Sequence, residues 1–282
     1  MKRPADDRTP ARDPHRFIND LEPEMINRLV ERLESRGKDR VFTRLFDSYS
    51  SRLGLQSGAQ VLEIGCGTGV VARALARKDD ADIHITGIDH SPTLIRVAHQ
   101  LADEEGVSNR LTFEVGDAHA LAFQDTCFDA VILHTVISHV GEPATVLEEA
   151  RRVLCPGCTL VVFDGDYASL TYGYPDSEVG RKMDWALARA AFNNPVVMRE
   201  LPWLLAATGL DLHDTLADVV SEIGQASYFR SLAETYAPLI APAGLARQAE
   251  VDAWMDTQRK AMQDNRFFAS CNYYSALARR MD

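Results

Sequence analysis

The chain has 282 residues, of which 46% are hydrophobic and 25% charged, the composition of an ordinary soluble globular protein. Its formal net charge of −11 argues against a nucleic-acid partner, since proteins that bind a phosphate backbone present a basic face. No apolar run approaches the roughly 20 residues of a membrane helix, and five irregularly spaced cysteines favour a reducing compartment. We therefore expect a cytoplasmic protein that partners neither nucleic acid nor membrane.

Helical patterns precede the first strand. Residues 1–14 are charged, contain proline and lack the apolar core of a signal peptide, so we expect a disordered tail over 1–16. Apolar residues then recur at helical spacing over 20–36 and again over 41–53. The sequence therefore predicts two N-terminal helices before the main fold.

From residue 60 onward, strand and helix patterns alternate. The predicted strands are 60–64, 83–88, 111–115, 128–134 and 159–163, and the predicted helices between them are 69–78, 92–105 and 143–154. Near-continuous apolar strands that alternate with helices indicate a parallel sheet covered on both faces. We expect an α/β fold with a doubly wound, mostly parallel sheet.

The alternation changes after residue 164. The pattern there predicts helices over 177–192, 196–207, 226–236 and 245–263, and strands over 210–220 and 267–279. These strands would bring the sheet to seven, and the helices would form an insertion after strand five. Aromatic residues in this part fit either a pocket wall or the core of the added helices: Tyr167, Tyr172, Tyr174, Trp185 and Trp203.

The glycine-rich turn after the first strand is the strongest functional signal. Glu63 lies in that strand, and the turn follows it as Gly65-Cys66-Gly67-Thr68-Gly69. Three glycines in five positions let the backbone turn tightly and let a ligand touch bare amide groups. The helix that follows offers unpaired N–H donors and a partial positive charge. We expect a ligand with a negative or polar end here.

Companion motifs follow the next strands. Asp89 ends the second strand, 20 positions after Gly69, where a carboxylate can accept hydrogen bonds from both ribose hydroxyls. Gly116-Asp117-Ala118 follows the third strand, and Phe128-Asp129-Ala130-Val131 lies in the fourth. This ordered set resembles the class I S-adenosylmethionine-dependent methyltransferases, and most of all their ubiquinone/menaquinone-biosynthesis-type branch. The resemblance covers residues 60–164.

The resemblance implies that one group of residues binds S-adenosylmethionine: Glu63, Gly65, Cys66, Gly67, Gly69, Asp89, His90, Asp117, Ala118 and His134. It places the methionine part along the glycine turn with Glu63 beneath it, and the ribose at Asp89. His90 would lie beside the adenine, and Asp117 would frame the adenine edge. The backbone carbonyl of His134 would accept from the methionine ammonium.

The resemblance also divides the chain into functional segments. They are a disordered tail (1–16), lid helices over the cofactor (17–58), a cofactor-binding core (59–165), and a helical substrate cap with the last two strands (166–282). In the lid, Arg40 or Arg44 would face the methionine carboxylate or, alternatively, lie on the surface.

Three other interpretations of the glycine turn stay open. The dinucleotide fingerprint G-x-G-x-x-G differs from the spacing Gly65-x-Gly67-x-Gly69, and Glu63 directly before the turn also counts against NAD. Such a turn can serve packing alone. A protein of this fold can also bind the cofactor while catalysing a non-methylating reaction or acting as a regulatory partner.

The acceptor is expected at the carboxyl ends of the strands. His139 is the first candidate general base, because an imidazole pKa of about 6.5 suits neutral pH, and His134 is the second; either ring could instead only pack. Asp164 and Asp166 are weaker candidates, for which turn formation is the alternative. The predicted reaction is methyl transfer to oxygen, nitrogen or carbon of a small molecule, such as a secondary metabolite or quinone-like ring.

No metal is expected. Catechol-type methyltransferases hold magnesium with acidic residues near the end of strand four, where this chain has His134-Thr135-Val136. The pair Cys155 and Cys158 lacks a second cysteine or histidine pair at ligand spacing, and it fits a turn followed by a strand. The sequence leaves a monomer and a homodimer equally open.

Overall fold

The computed structural model describes residues 13–78 and 82–281. In it, seven strands form one sheet in the order β3-β2-β1-β4-β5-β7-β6. The strands are β1 Gln60–Ile64, β2 His84–Asp89, β3 Leu111–Val115, β4 Phe128–His134, β5 Leu154–Tyr172, β6 Leu210–Gly224 and β7 Phe267–Arg280. Neighbours from β3 to β5 are parallel, and β7 is antiparallel to both β5 and β6. The predicted seven-stranded, mostly parallel sheet is confirmed.

Helices flank this sheet. They are α1 Pro23–Lys38, α2 Arg40–Ser50, α3 Val70–Lys78, α4 Pro92–Glu104, α5 Pro143–Val153, α6 Ser177–Ala191, α7 Val197–Ala207, α8 Tyr228–Tyr236 and α9 Gln248–Gln263. Proline opens α1, α4 and α5, where its missing N–H is no loss. In the described residues, no helix is both long and apolar enough to span a bilayer.

The core has two layers because successive residues of a strand face opposite sides of the sheet. Val61 packs into one buried cluster, with residues of α3, α4 and the N-terminal and cap helices. Leu62 and Ile64 pack into the other, with residues of α5 and α7. The sheet is therefore covered on both faces, which leaves its strand ends as the place for a ligand site.

Strand β5 is much longer than the predicted 159–163. Leu154 already pairs with Phe128, and the segment Cys155–Cys158 bulges out before Thr159 pairs with Ala130. Gly157 adopts a φ of +75° in this bulge, so the expected turn is present within the strand. At its other end, β5 continues because it pairs with β7, a partner about a hundred residues away that local patterns do not reveal.

The N-terminal segment also differs from the expected tail. Residues 1–12 lie outside the described residues, but 13–16 form an ordered turn in which the side chain of Asp13 is buried. Asp13 accepts a hydrogen bond from the N–H of Asn193 at 3.0 Å. The turn is ordered because this long-range contact satisfies a buried carboxylate, a feature that composition does not report.

Two tryptophans test how firmly the cap is packed. Trp254 in α9 is 1% exposed, with its ring centroid 4.9 Å from that of Tyr172. Trp254→Ala should lower the free energy of unfolding by about 3–5 kcal/mol, because it leaves a cavity that the core cannot fill. Trp203 is 74% exposed, so Trp203→Ala should change it by about 0.5 kcal/mol or less. Urea unfolding followed by circular dichroism measures both, and equal losses would contradict this packing.

Candidate functional site

A cavity of about 680 Å³ lies at the carboxyl ends of β1, β2 and β4, beneath α1, α2 and α8. Every predicted cofactor residue except Gly69 lines it, and so do both predicted catalytic histidines, His134 and His139. The structure thus brings together residues from nearly every segment that the sequence singled out. We call the part along the glycine turn the floor, and the part beneath α8 the far end, lined by His15, Arg32, Tyr167, Phe192, Tyr228 and Tyr236.

The glycine turn needs its glycines for two different reasons. Gly65 has a φ of +67°, and a Cβ there would lie 2.6 Å from Cγ2 of Val136. Gly69 has a φ of +75°, and a Cβ there would lie 2.6 Å from the ring of Phe113, on the core side. Gly65 therefore shapes the cavity, whereas Gly69 lets the start of α3 pack on the sheet.

The amides of this turn are not bare. Cys66 donates its N–H to the carbonyl of Ile88 at 2.8 Å, and Gly69 donates to the carbonyl of Cys66. Gly67 donates to Oδ2 of Asp89 at 2.9 Å. The expectation of free donors thus needs correction at these positions, because the turn uses their N–H groups to hold its own shape. A ligand meets a preformed surface of backbone and carboxylate instead.

Two buried carboxylates anchor the floor. Besides Gly67, Asp89 accepts from the N–H of Ser91 at 2.9 Å, which ties the glycine turn to the end of β2. Glu63 accepts from the N–H of Ala72 at 2.9 Å. Burial raises the pKa of Glu63 to about 8, against the opposing effect of the Ala72 hydrogen bond. Both side chains face the cavity where a cation or hydroxyl group would meet them.

The predicted adenine end is more open. A hydrogen bond to Asp89 raises the pKa of His90, whose carbonyl accepts from Nδ2 of Asn19 at 3.0 Å. Asp117 is exposed, and the N–H of His119 donates to it, which lowers the pKa of this carboxyl. Ala118 lines the cavity beside it. This end therefore offers polar atoms at a solvent-accessible rim.

The backbone is strained at Thr135, just after the end of β4. Thr135 has a φ of +55°, the left-handed region that branched residues avoid. Its N–H donates to the carbonyl of Phe163 at 2.6 Å, and its hydroxyl donates to the carbonyl of His134 at 2.7 Å. Nη2 of Arg36 donates to that same hydroxyl at 2.7 Å. The His134 carbonyl, predicted to meet a ligand, thus already accepts one hydrogen bond and keeps its second lone pair.

The imidazole of His134 is held from two sides. Its Nδ1 lies 2.8 Å from the hydroxyl of Tyr49, and its ring stacks on Phe163 at a centroid distance of 4.5 Å. Burial, with a smaller contribution from Arg36, lowers the pKa of His134 well below its usual value. The ring is therefore neutral at physiological pH and is a weak base.

His139 is paired with a carboxylate that the sequence did not indicate. Nδ1 of His139 lies 2.7 Å from Oδ2 of Asp13, whose side chain is buried, whereas that of His139 is 14% exposed. Burial alone would lower the pKa of His139, but the charges of Asp13 and Asp164 outweigh it and raise the pKa. Asp13 therefore fixes one ring nitrogen and leaves Nε2 for a ligand, an arrangement that suits a general base.

Asp164 and Asp166 have structural roles. Asp164 is fully buried and accepts from the N–H groups of Ser138 and Gly165, and Asp166 pairs with Arg199 at 2.9 Å. Of the aromatic residues, Tyr167 lines the cavity, Tyr172 lies in the core, and Trp185 and Trp203 are exposed. In the described part of the chain, no group of three or more His, Cys, Asp or Glu side chains could hold a metal ion.

Sequence reasoning missed the charges of the far end. Arg40 and Arg44 are exposed, and Arg44 approaches Asp218, whereas Arg32 and Arg36 line the cavity. The signal was present: Arg32 and Arg36 are four residues apart on the face of α1 that also carries buried Leu29. Asp13 and His15 gave no local signal, because they lie in a segment without periodic pattern.

Parts of this chain are similar in sequence to known proteins. A family model described as a methyltransferase domain matches residues 55–207, more than half of the chain. The chain is 34% identical over 131 residues to a 27-O-demethylrifamycin SV methyltransferase of Amycolatopsis mediterranei, covering 46% of this chain and 47% of that protein. It is 32% identical over 136 residues to the ubiquinone/menaquinone biosynthesis C-methyltransferase UbiE of Geobacter sp. (strain M21), covering 48% and 57%.

One solved structure resembles the whole fold. The crystal structure of the [4+2]-cyclase SpnF aligns with a TM-score of 0.61 at 24% identity, covering 96% of this chain and 98% of that one. At this identity the likeness concerns the fold alone. The chain spans about half of the length of the curated relatives that it matches.

The proton of Glu63 gives a test of the floor. Between about pH 4.5 and 8 the folded protein holds a proton that the unfolded chain has released, so stability falls as pH rises. In the wild type, the free energy of unfolding should fall by roughly 1 kcal/mol for each pH unit. Glu63→Gln keeps a neutral acceptor for the N–H of Ala72 and should lack this pH dependence. Urea unfolding at pH 5, 6.5 and 8 measures the difference. The exposed Glu114→Gln should follow the wild type, and a Glu63→Gln variant that does so too would refute the expectation.

The pairing of His139 gives a second test. In Asp13→Asn, burial acts on His139 without the opposing carboxylate, so the pKa of His139 should fall below that in the wild type. NMR titration of the imidazole Hε1 signal measures this shift. Asp117→Asn removes a carboxylate that contacts a different histidine, and it should leave the His139 titration unchanged. An unaltered pKa in Asp13→Asn would show that the pair does not form in solution.

Proposed function

We propose, from the premise that this chain belongs to the methyltransferase-domain family, that it transfers a methyl group from S-adenosylmethionine to a small molecule. Family membership confirms the prediction of a class I methyltransferase domain, and S-adenosylmethionine is the cofactor of this family. The observation that carries the proposal is the cavity itself. It joins a floor lined by the predicted cofactor residues to an aromatic far end where an acceptor can lie.

The residues of the floor fit S-adenosylmethionine. This cofactor carries an ammonium group, ribose hydroxyls and a sulfonium, which call for acceptors and negative charge. Asp89 supplies a carboxylate, Glu63 supplies a carboxyl oxygen, and the His134 carbonyl supplies an acceptor at the end of β4. Gly65 keeps open a space that any Cβ would close against Val136. We propose that the cofactor lies along this floor, with its adenine toward Asp117 and Ala118.

When bound, the cofactor supplies an electrophilic methyl carbon. The chain's own contribution is to orient the acceptor and keep water away, and orientation alone can supply about 7–11 kcal/mol in the best-aligned systems. We propose that His139 accepts the acceptor's proton at Nε2 where the nucleophile is an un-ionised hydroxyl, amine or carbon acid. Asp13 then stabilises the charged imidazole, because it already contacts Nδ1.

The far end suits an apolar or aromatic acceptor body. Tyr167 and Phe192 stack with nearly parallel rings, and the ring of Tyr236 lies 6.1 Å from that of Phe192. Such a lining supports a secondary metabolite or quinone-like ring as acceptor, in keeping with relatives named for rifamycin and for ubiquinone/menaquinone biosynthesis. We propose methylation at oxygen, nitrogen or carbon of such a molecule.

We also propose a role for each segment of the chain and a cellular compartment for the protein. Residues 17–58 act as a lid over the cofactor, and 166–282 contribute the acceptor cap, because α1 and α8 meet above the cavity. The cysteines of the described residues are free, which supports the reducing cytoplasm as compartment.

One experiment tests the proposal directly. Isothermal titration should detect binding of S-adenosylmethionine and of S-adenosylhomocysteine, and incubation of candidate aromatic acceptors with methyl-labelled cofactor should give a product heavier by one methyl group. The alternative is a methyltransferase-fold protein that binds the cofactor and catalyses another reaction or acts as a regulatory partner; the structural neighbour SpnF is named a [4+2]-cyclase. Cofactor binding with an unmethylated product would favour that alternative, and failure to bind either compound would refute both.

Asp89→Asn tests most directly whether the cofactor binds along the floor. Asp89→Asn loses a charge and one acceptor oxygen at the centre of the floor, so S-adenosylhomocysteine should bind about ten- to a hundredfold more weakly. The matched control Asp218→Asn lies on β6, where Asp218 approaches exposed Arg44, and it should keep wild-type affinity. Equal affinities in calorimetry for Asp89→Asn and the wild type would contradict a ribose site at Asp89.

A further inference from the structure

The far end contains a buried positive charge that has only neutral contacts. Arg32 in α1 is 9% exposed and lines the cavity. Its Nη1 donates to Oγ of Ser231 at 3.3 Å, and its guanidinium lies 5.0 Å from the ring centroid of Tyr228 and 5.3 Å from that of Tyr236. Burial raises the pKa of both tyrosines, so their hydroxyls are neutral at physiological pH. The described residues place no carboxylate within ion-pair distance of Arg32.

Another buried arginine of the same chain shows what is missing. Arg73 in α3 is 3% exposed, and its guanidinium contacts two carboxylates, those of Glu34 at 2.7 Å and Glu105. Burial of a charge is costly unless a counter-charge and hydrogen bonds accompany it, which explains the arrangement around Arg73. Arg32 is almost as buried, yet its environment supplies only ring faces and neutral hydroxyls. None of the described residues supplies its counter-charge.

A second guanidinium lies beside the first. Arg36 is one helical turn further along α1, lines the same cavity, and donates to the neutral hydroxyl of Thr135. Two buried carboxylates of other elements are already engaged, Asp13 by His139 and Asp89 by the glycine turn. Two cationic side chains thus face one chamber, by which we mean the far end together with Arg36, in a protein whose net charge is −11. The chamber is locally positive although the molecule is acidic.

We propose that Arg32 binds a carboxylate of the acceptor molecule, with Arg36 adding to the positive field of the chamber. The inference rests on the proposed function and names the class of acceptor: an apolar or aromatic acid. The planar fork of a guanidinium matches a carboxylate with two parallel hydrogen bonds. Tyr167 and Phe192, which line the same far end, pack against the acceptor's body.

The ligand-free protein offers the first test. Arg32→Met keeps most of the side-chain volume and can contact the two tyrosine rings through sulfur, but it removes the unpaired charge. Its Tm should therefore equal or exceed that of the wild type, because removal of a buried unpaired charge offsets the loss of one hydrogen bond. Arg73→Met is the matched control and should lower Tm by several degrees, on the order of 2–4 °C per kcal/mol lost. A drop in Arg32→Met as large as in Arg73→Met would assign Arg32 a structural role and overturn the proposal.

Binding of matched probes is the second test. The probes are 2-naphthoate and its neutral carboxamide, titrated into the full chain both with and without saturating S-adenosylhomocysteine. The wild type should bind the carboxylate at least about tenfold more tightly than the amide, and Arg32→Met should bind the two alike. Equal binding by the wild type, a preference that survives in Arg32→Met, or no binding of either probe at millimolar concentration would overturn the proposal.

The carboxylate of the cofactor is the alternative ligand of Arg32, and a separate titration tests it. Affinity for S-adenosylhomocysteine should differ less than about twofold between wild type and Arg32→Met. A tenfold loss there would assign Arg32 to the cofactor and overturn the proposal. If the wild type binds no S-adenosylhomocysteine, the proposed function fails, while the titration without it still decides whether the chamber selects a carboxylate.

Discussion

The parallel pairing of β1 with β2 and β4 is the constraint on which the site depends. It brings three strand ends to one edge of the sheet, so the glycine turn, Asp89 and His134 meet although they are far apart in the chain. Helices pack on both faces of these strands and leave that end of the sheet open. A hydrogen bond from Gly67 to Asp89 then joins two of these ends directly. The floor is rigid because its polar groups satisfy one another before any ligand arrives.

The far end is assembled from side chains that are distant in the sequence. Its side chains come from the N-terminal turn, α1, the residue that follows α6, α8 and the extension of β5, parts of the chain that meet only in the finished fold. They are aromatic and basic, whereas the floor is acidic. The two halves of one cavity thus differ in charge, with His134, Thr135 and Arg36 between them. In the proposed function, this difference separates the place of a cationic donor from the place of an acceptor.

The difference between the halves also explains what the sequence could and could not predict. Floor residues lie at or just beyond the ends of strands, so the glycine turn and the resemblance to methyltransferases pointed to Glu63, Asp89 and Asp117 without long-range information. The contact between Asp13 and His139 joins residues 126 positions apart, and composition classed Asp13 with a disordered tail. Likewise, β5 continued because of a distant partner strand, and Tyr172 and Trp203 looked alike in sequence although one lies in the core and the other on the surface.

The hydroxyl of Thr135 has a consequence for how the two halves communicate. It accepts from Arg36 in α1 and donates to the His134 carbonyl at the end of β4, so it is polarised from one side and polarises the other. A displacement of α1 that breaks the Arg36 contact would therefore change the hydrogen bond to that carbonyl. In the proposed function, the position of the N-terminal helices thus reaches the atom that a ligand would meet through two consecutive hydrogen bonds.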